Sequence, residues 1–145
     1  MTIDPDFSGP GPWSLPVVSF ELARLDFGFP LTFIAAADAG RRFRVQLSGV
    51  FTFRDGHGQD HELDPEKDSW EHFTVLFELR HDRIGRAIVS AGMALLTVEF
   101  ESGRFVKVGP SGGYEGWEAQ GPGFFFVGSS GKGTDGQLFV GPSWA

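Results

Sequence analysis

The sequence predicts a mainly β domain of the α+β kind: antiparallel sheets from two related β-meander halves, with one helix near residues 66–80. Three observations carry that reading. Apolar and polar residues alternate with period two over several stretches, most clearly from Phe43 to Arg54. Glycine supplies 21 of the 145 residues, about twice the average usage of roughly 7%, as a chain of many tight turns requires. Phenylalanine is abundant at 16 residues, beside four Trp and one Tyr, so the core is expected to be aromatic.

Taken in order, residues 1–16 hold Pro5, Pro10, Pro12 and Pro16 and read as an extended arm that Trp13 can anchor. Residues 17–145 read as one β-rich domain, a length that suits a single core. Val18, Phe20 and Leu22 form one period-2 run and Leu25, Phe27 and Phe29 a second, out of phase with the first. That slip predicts a bulge near Ala23 and Arg24. Pro30 marks a strand start, Leu31 to Ala37 a strand, and Asp38-Ala39-Gly40 its turn. Phe43, Val45, Leu47, Gly49, Phe51 and Phe53 then share one face of a long antiparallel strand, with Gly49 placed to allow a bend. Asp55 to Gly58 turns the chain into a return strand over residues 59–63.

Asp64-Pro65-Glu66 has the cap, first-turn proline and acid of a helix start. Trp70, Phe73 and Phe77 stand at i, i+3 and i+7, one helical face, although Phe73 to Leu79 also alternates as a strand would. The start signal favours the helix. Strands follow at Ile84 to Ser90, Leu96 to Phe100 and Phe105 to Val108, the last two joined at Ser102-Gly103. After a glycine bend come Tyr114 to Ala119, the apolar run Phe124 to Val127, a loop over Gly128 to Gly136, and a last strand over 137–140.

Charge and composition exclude several functions. The net charge of −7 opposes a general affinity for nucleic acid, which needs clustered Lys and Arg. There is no Cys, hence neither a disulfide nor a thiolate metal site. The N-terminus lacks the basic start and apolar run of a signal peptide, and no apolar stretch reaches the roughly 20 residues that a membrane span needs. A cytoplasmic protein without a cofactor is the expectation.

The charge is segregated. Asp55, Asp60, Glu62, Asp64, Glu66, Asp68, Glu71 and Glu78 face only Lys67 within their block, and arginines flank it on both sides. A solvated acidic face and a dock for a basic partner are both compatible with this pattern. The candidate binding residues are Asp60, Glu62, Asp64, Asp68 and Glu71, with Tyr114 and Trp117, since aromatic residues anchor recognition surfaces as well as cores. His57 and His61 with Asp60 form the nearest approach to a metal-ligand set. Glu99, Glu101, Glu115 and Glu118 have no spacing that fixes an acid–base pair. Gly128 to Thr134 lacks the Lys-Ser/Thr pair of a phosphate-binding loop.

A shift of 47 residues pairs Phe53 with Phe100, Gly56 with Gly103, Trp70 with Trp117, Glu71 with Glu118 and Phe77 with Phe124. The two halves would each end in a Trp-Glu segment, helical in the first copy and extended in the second.

The run Leu96 to Gly121, LTVEFESGRFVKVGPSGGYEGWEAQG, resembles a family of small actinobacterial proteins of unknown function with a strand–turn–strand unit and a Tyr-Glu-Ala-Trp box. Here the turn is Ser102-Gly103 rather than Asp/Asn-Gly, the box is Tyr114-Glu115-Gly116-Trp117, and Gly128-Ser129-Ser130-Gly131 replaces the later Pro-Gly-Gly loop. The resemblance implies no catalytic residue. Small acidic domains of this kind also look like toxin-neutralising immunity proteins, an analogy of type alone. The expectation is a non-enzymatic protein-binding domain. A metal-assisted hydrolase at His57 and His61 and a self-associating, homodimeric structural domain are the alternatives.

Overall fold

The computed structural model describes residues 12–90, 94–109, 115–130 and 136–141. Twelve strands, one helical segment and a single 3-10 turn at Asp38–Gly40 are formed by these residues. In chain order the strands are β1 (Trp13–Ser14), β2 (Glu21–Asp26), β3 (Leu31–Ala36), β4 (Arg42–Leu47), β5 (Phe51–Arg54) and β6 (Asp60–Leu63), then β7 (Ile84–Ser90), β8 (Leu95–Phe100), β9 (Phe105–Val108), β10 (Glu115–Gly121), β11 (Phe124–Ser130) and β12 (Gly136–Gly141). They build two antiparallel sheets of six strands, ordered β1-β7-β8-β9-β5-β6 and β12-β11-β10-β4-β3-β2. The mainly β class and the antiparallel sheets match the sequence reading.

Both sheets bury one face in a common core. Phe33, Phe43, Val45, Leu47, Trp117, Phe124 and Phe126 come from one sheet, and Phe51, Phe53, Val89, Leu96, Val98 and Val106 from the other. The rings meet edge to face or tilted, as their quadrupoles favour: Phe33 on Phe43 at 6.5 Å, and Phe43 on Phe124 at 5.8 Å. Trp13 reaches across from β1 to Phe126 at 5.8 Å.

The phase slip in the second strand is a bulge. Register in the β2–β3 pair shifts between Leu22 and Arg24, so Ala23 is the additional residue; Phe20 and Leu22 before it are buried and Leu25 and Phe27 after it partly so, whereas Val18 and Phe29, at the far ends of the two runs, are exposed.

The long strand expected over Phe43 to Arg54 is instead two strands in different sheets. The break is at Ser48 to Val50, where the amides of Ser48 and Gly49 both donate to the Gly116 carbonyl, at 3.0 and 2.9 Å. The alternation continues through the break because both sheets face the same core. Gly49 is at the bend, as its position suggested.

The helical segment begins later than its start signal. Asp64 accepts the amides of Lys67 and Asp68 through its carbonyl, and Glu66 N through Oδ1 at 3.0 Å. It thus closes a separate turn, and helix α1 (Trp70–Phe73) starts after Ser69, running on as a 3-10 stretch over Thr74–Leu79. A 3-10 helix repeats every three residues. Phe73, Leu76 and Leu79 therefore share the buried side, while Trp70 and Phe77 stand 63% and 54% exposed. The face predicted from i, i+3, i+7 is corrected accordingly; the strand alternative for Phe73 to Leu79 is excluded. Phe77 remains against Phe27 at 5.4 Å.

Of the arm read over residues 1–16, Trp13–Ser14 pairs with β7, and residues 1–11 lie outside the described part. Of the loop read over Gly128 to Gly136, Gly128 to Ser130 and Gly136 belong to strands, and residues 131–135 lie outside the described part.

Candidate functional site

The acidic block is presented by the β5–β6 hairpin and the helical segment after it. Antiparallel register sets Arg54 opposite Asp60 and Thr52 opposite Glu62. Arg54 donates to Asp60 through Nε at 2.7 Å and Nη2 at 3.2 Å, and its guanidinium lies over the Phe105 ring at 4.6 Å. The bond from Arg54 holds the Asp60 carboxyl below its usual range. Asp60 is thus already engaged by a cation on its own sheet.

Asp55 closes the hairpin. Its Oδ1 accepts the amides of His57 and Gln59 at 2.8 and 3.0 Å, and its Oδ2 lies 2.8 Å from His61 Nε2. An ionised carboxylate only accepts, so Nε2 carries the proton in this contact. The bond from His61, reinforced by those from the Gln59 and His57 amides, pulls the Asp55 carboxyl down from 3.8 to about 2. His61 also stacks on Phe53 at 6.1 Å.

Glu78 links the helical segment to two turns. Its Oε2 accepts from Gly56 N at 3.0 Å and Arg104 Nε at 3.1 Å, and these bonds, the Gly56 amide first, lower its pKa. Arg104 also approaches Asp82 at 3.7 Å. Asp82 in turn accepts the hydroxyl of Ser102.

The predicted residues therefore separate by role. Asp55, Asp60 and Glu78 hold turns and strands. Asp64 and Asp68 shape the loop before α1, the Asp64 amide donating to Asp68 Oδ2 at 2.7 Å. Glu62 and Glu71 are exposed, and their carboxylates meet no cationic side chain among the described residues. Trp117 is removed from the binding set: it is 1% exposed and donates through Nε1 to the Ala94 carbonyl at 2.7 Å. Tyr114 lies outside the described residues.

Trp70 is the residue that the candidate set lacked. It follows the Asp64 to Asp68 turn directly and is the most exposed large apolar side chain described. Its surroundings in sequence, Asp68, Glu71 and His72, were legible, but the α-helical face assigned it to the interior.

The metal alternative has little support from geometry. His61 is committed to Asp55, Asp60 to Arg54, and among the described residues no three His, Asp or Glu side chains converge on a possible metal position. Carboxylate pairing for acid–base work fares similarly. Glu99 is held by Arg86 at 2.9 Å and Glu118 approaches Arg44 at 3.7 Å. No helix of the described residues is long and apolar enough to cross a membrane.

These features define a class: a two-sheet antiparallel β domain whose internal polar clusters brace turns and whose one acidic–aromatic segment faces outward. More particularly, the chain belongs to a family of unknown function, DUF6188, whose sequence profile matches residues 13–134. No curated protein and no solved structure matches the chain.

Proposed function

We propose that this is a non-enzymatic interaction protein that docks a basic partner through the outward edge of β6 and the first turn of α1. The observation that carries the reading is Trp70, 63% exposed, beside a segment whose carboxylates Glu62 and Glu71 meet no cationic side chain among the described residues. An indole set among acids can supply both buried area and a cation–π face to an arriving Lys or Arg. The polar groups that could serve chemistry are instead engaged in bracing turns, which favours binding over catalysis. A toxin-neutralising role fits this surface, since blocking a basic active surface asks for acidic complementarity and no chemistry. The narrower likeness to actinobacterial proteins with a Tyr-Glu-Ala-Trp box is part of the same reading.

The test must avoid the acids that shape the loop, because neutralising Asp64 or Asp68 also removes a turn bond. Trp70→Ala and the pair Glu62→Gln with Glu71→Gln are the informative variants. Partners captured from host lysate on the wild-type protein should be lost on both variants, with unfolding curves unchanged. Capture that persists on the folded variants refutes this surface.

A further inference from the structure

The outward face of the sheet that contains β4 and β10 gathers a set of hydrogen-bond donors away from the acidic segment. In β4, Phe43, Val45 and Leu47 enter the core, so Arg42 and Arg44 turn outward. Register places Arg44 between Ile34 of β3 and Gln120 of β10. Ile34, Arg42, Arg44 and Gln120 line a cleft of about 160 Å³. Arg42 also walls a second cleft of about 460 Å³ that runs over Gly40 and Pro122. In a chain with 19 acidic residues, no carboxylate lines either cleft among the described residues.

The polar groups of the smaller cleft all donate. Gln120 is only 6% exposed, and its Oε1 accepts from Arg44 Nη2 at 2.8 Å. A guanidinium has no acceptor, so the carboxamide oxygen must be the atom on that side. Nε2 is left as a donor that meets no acceptor among the described residues. Arg44 is thus held in place by a neutral group; Glu118 approaches it at 3.7 Å from the next row and does not line the cleft. Arg42 is exposed and meets no carboxylate among the described residues, whereas Arg24, Arg54, Arg86 and Arg104 are each paired with one. The neighbouring Arg41 is engaged elsewhere, on the Asp38 carbonyl and over the Phe20 ring.

We propose that this cleft binds the phosphate group of a small phosphomonoester, whose organic part lies along the second cleft against Pro122. Two guanidiniums and a buried amide donor, with no side-chain acceptor left over, call for an oxyanion. A phosphomonoester carries a charge of about −1.5 to −2 at neutral pH, which two guanidiniums balance and a single carboxylate does not match. Arg42 and Arg44 come from one strand and Gln120 from its neighbour, an arrangement that suits three oxygens on a tetrahedral centre more than two in a plane. The site is separate from the acidic dock, because β4 and β10 belong to one sheet and β6 to the other.

Titration of the full chain with phenyl phosphate, inorganic phosphate and benzoate, followed by NMR of backbone and side-chain amides, tests the proposal. Constant ionic strength separates a site from general screening. The expected result is saturable binding of phenyl phosphate at one site, with shifts centred on the Gln120 side-chain amide and the strand around Arg44. Inorganic phosphate should bind more weakly, and benzoate weaker by about tenfold. Arg42→Gln and Gln120→Leu should each weaken phenyl phosphate by about tenfold. Arg42 is exposed, so its variant should keep the wild-type unfolding curve. Arg86→Gln makes the same charge change on the other sheet and should leave the affinity unaltered. Shifts that never saturate, equal weakening by Arg42→Gln and Arg86→Gln, or benzoate as tight as phenyl phosphate would each overturn the proposal. Inorganic phosphate as tight as phenyl phosphate would overturn the placement of the organic part.

Discussion

Replacing Gly128 by alanine tests the central packing of the β10–β11 pair. Trp117 is directly across from Gly128, and its indole folds over the glycine so closely that a Cβ there would overlap Nε1 and Cε2. Neither partner has room to withdraw. Gly128 lies in a strand paired on both sides, and Trp117 is buried with its N–H fixed on the Ala94 carbonyl. Overpacking a core costs about 1–3 kcal/mol. Displacing the ring also breaks a buried hydrogen bond, which adds about 1–3 kcal/mol. The expected loss is roughly 2–6 kcal/mol, large against a domain stability of about 5–15 kcal/mol. Urea unfolding of Gly128→Ala, Trp117→Phe and the double variant measures it. Trp117→Phe destabilises by itself, but in that background the added methyl should cost under about 1 kcal/mol, giving a coupling energy of about 1 kcal/mol or more. A Gly128→Ala protein within about 1 kcal/mol of wild type, or single effects that add within about 0.5 kcal/mol, would refute the argument.

Gly56→Ala makes a useful contrast: its Cβ would meet the guanidinium end of Arg104 at 2.6 Å, a flexible group that can swing aside, so thermal unfolding should shift by no more than about 1 kcal/mol. Trp70→Ala should leave stability within about 0.5 kcal/mol, whereas Phe73→Ala, three residues on and buried, should cost about 3–5 kcal/mol by urea unfolding. The Asp55 carboxyl lies at about 2 in the fold against 3.8 as its ordinary value. Its stabilising effect is therefore complete above the ordinary value and is lost as pH falls through the folded one. Asp55→Asn should be less stable than wild type at neutral pH, with the gap closing between about pH 4 and pH 2; a gap independent of pH would contradict the contact with His61.

Much of the fold was legible because period-2 alternation reports which side of a strand is buried. The bulge at Ala23 followed from the phase of six apolar residues. The same signal could not show that β4 and β5 belong to different sheets, since both direct alternate residues at one core and the alternation crosses Gly49 unchanged. The helical segment shows a different limit. Asp64-Pro65-Glu66 has the chemistry of a cap, and that chemistry equally closes a turn; only the later 3-10 winding decides that Leu76 and not Phe77 is inside. For the site, charge segregation was visible, but which acids were occupied was not. The Arg54–Asp60 pair follows once the hairpin register is known, whereas the bonds from Gly56 and Arg104 to Glu78 join segments distant in sequence and leave no local pattern.

The interleaving of the two sheets bears on how the chain folds during synthesis. Leu47 finds its partner at Trp117 and Phe53 at Val106, so β4 and β5 emerge from the ribosome long before the strands that complete them. Non-local pairings of this kind slow folding, and until β9 and β10 arrive each half-sheet has an open flank and an exposed aromatic face. Neither half can close a core by itself. A chain truncated after Ser90 is expected to be aggregation-prone rather than a smaller folded unit, and two separately expressed halves should acquire structure only on mixing.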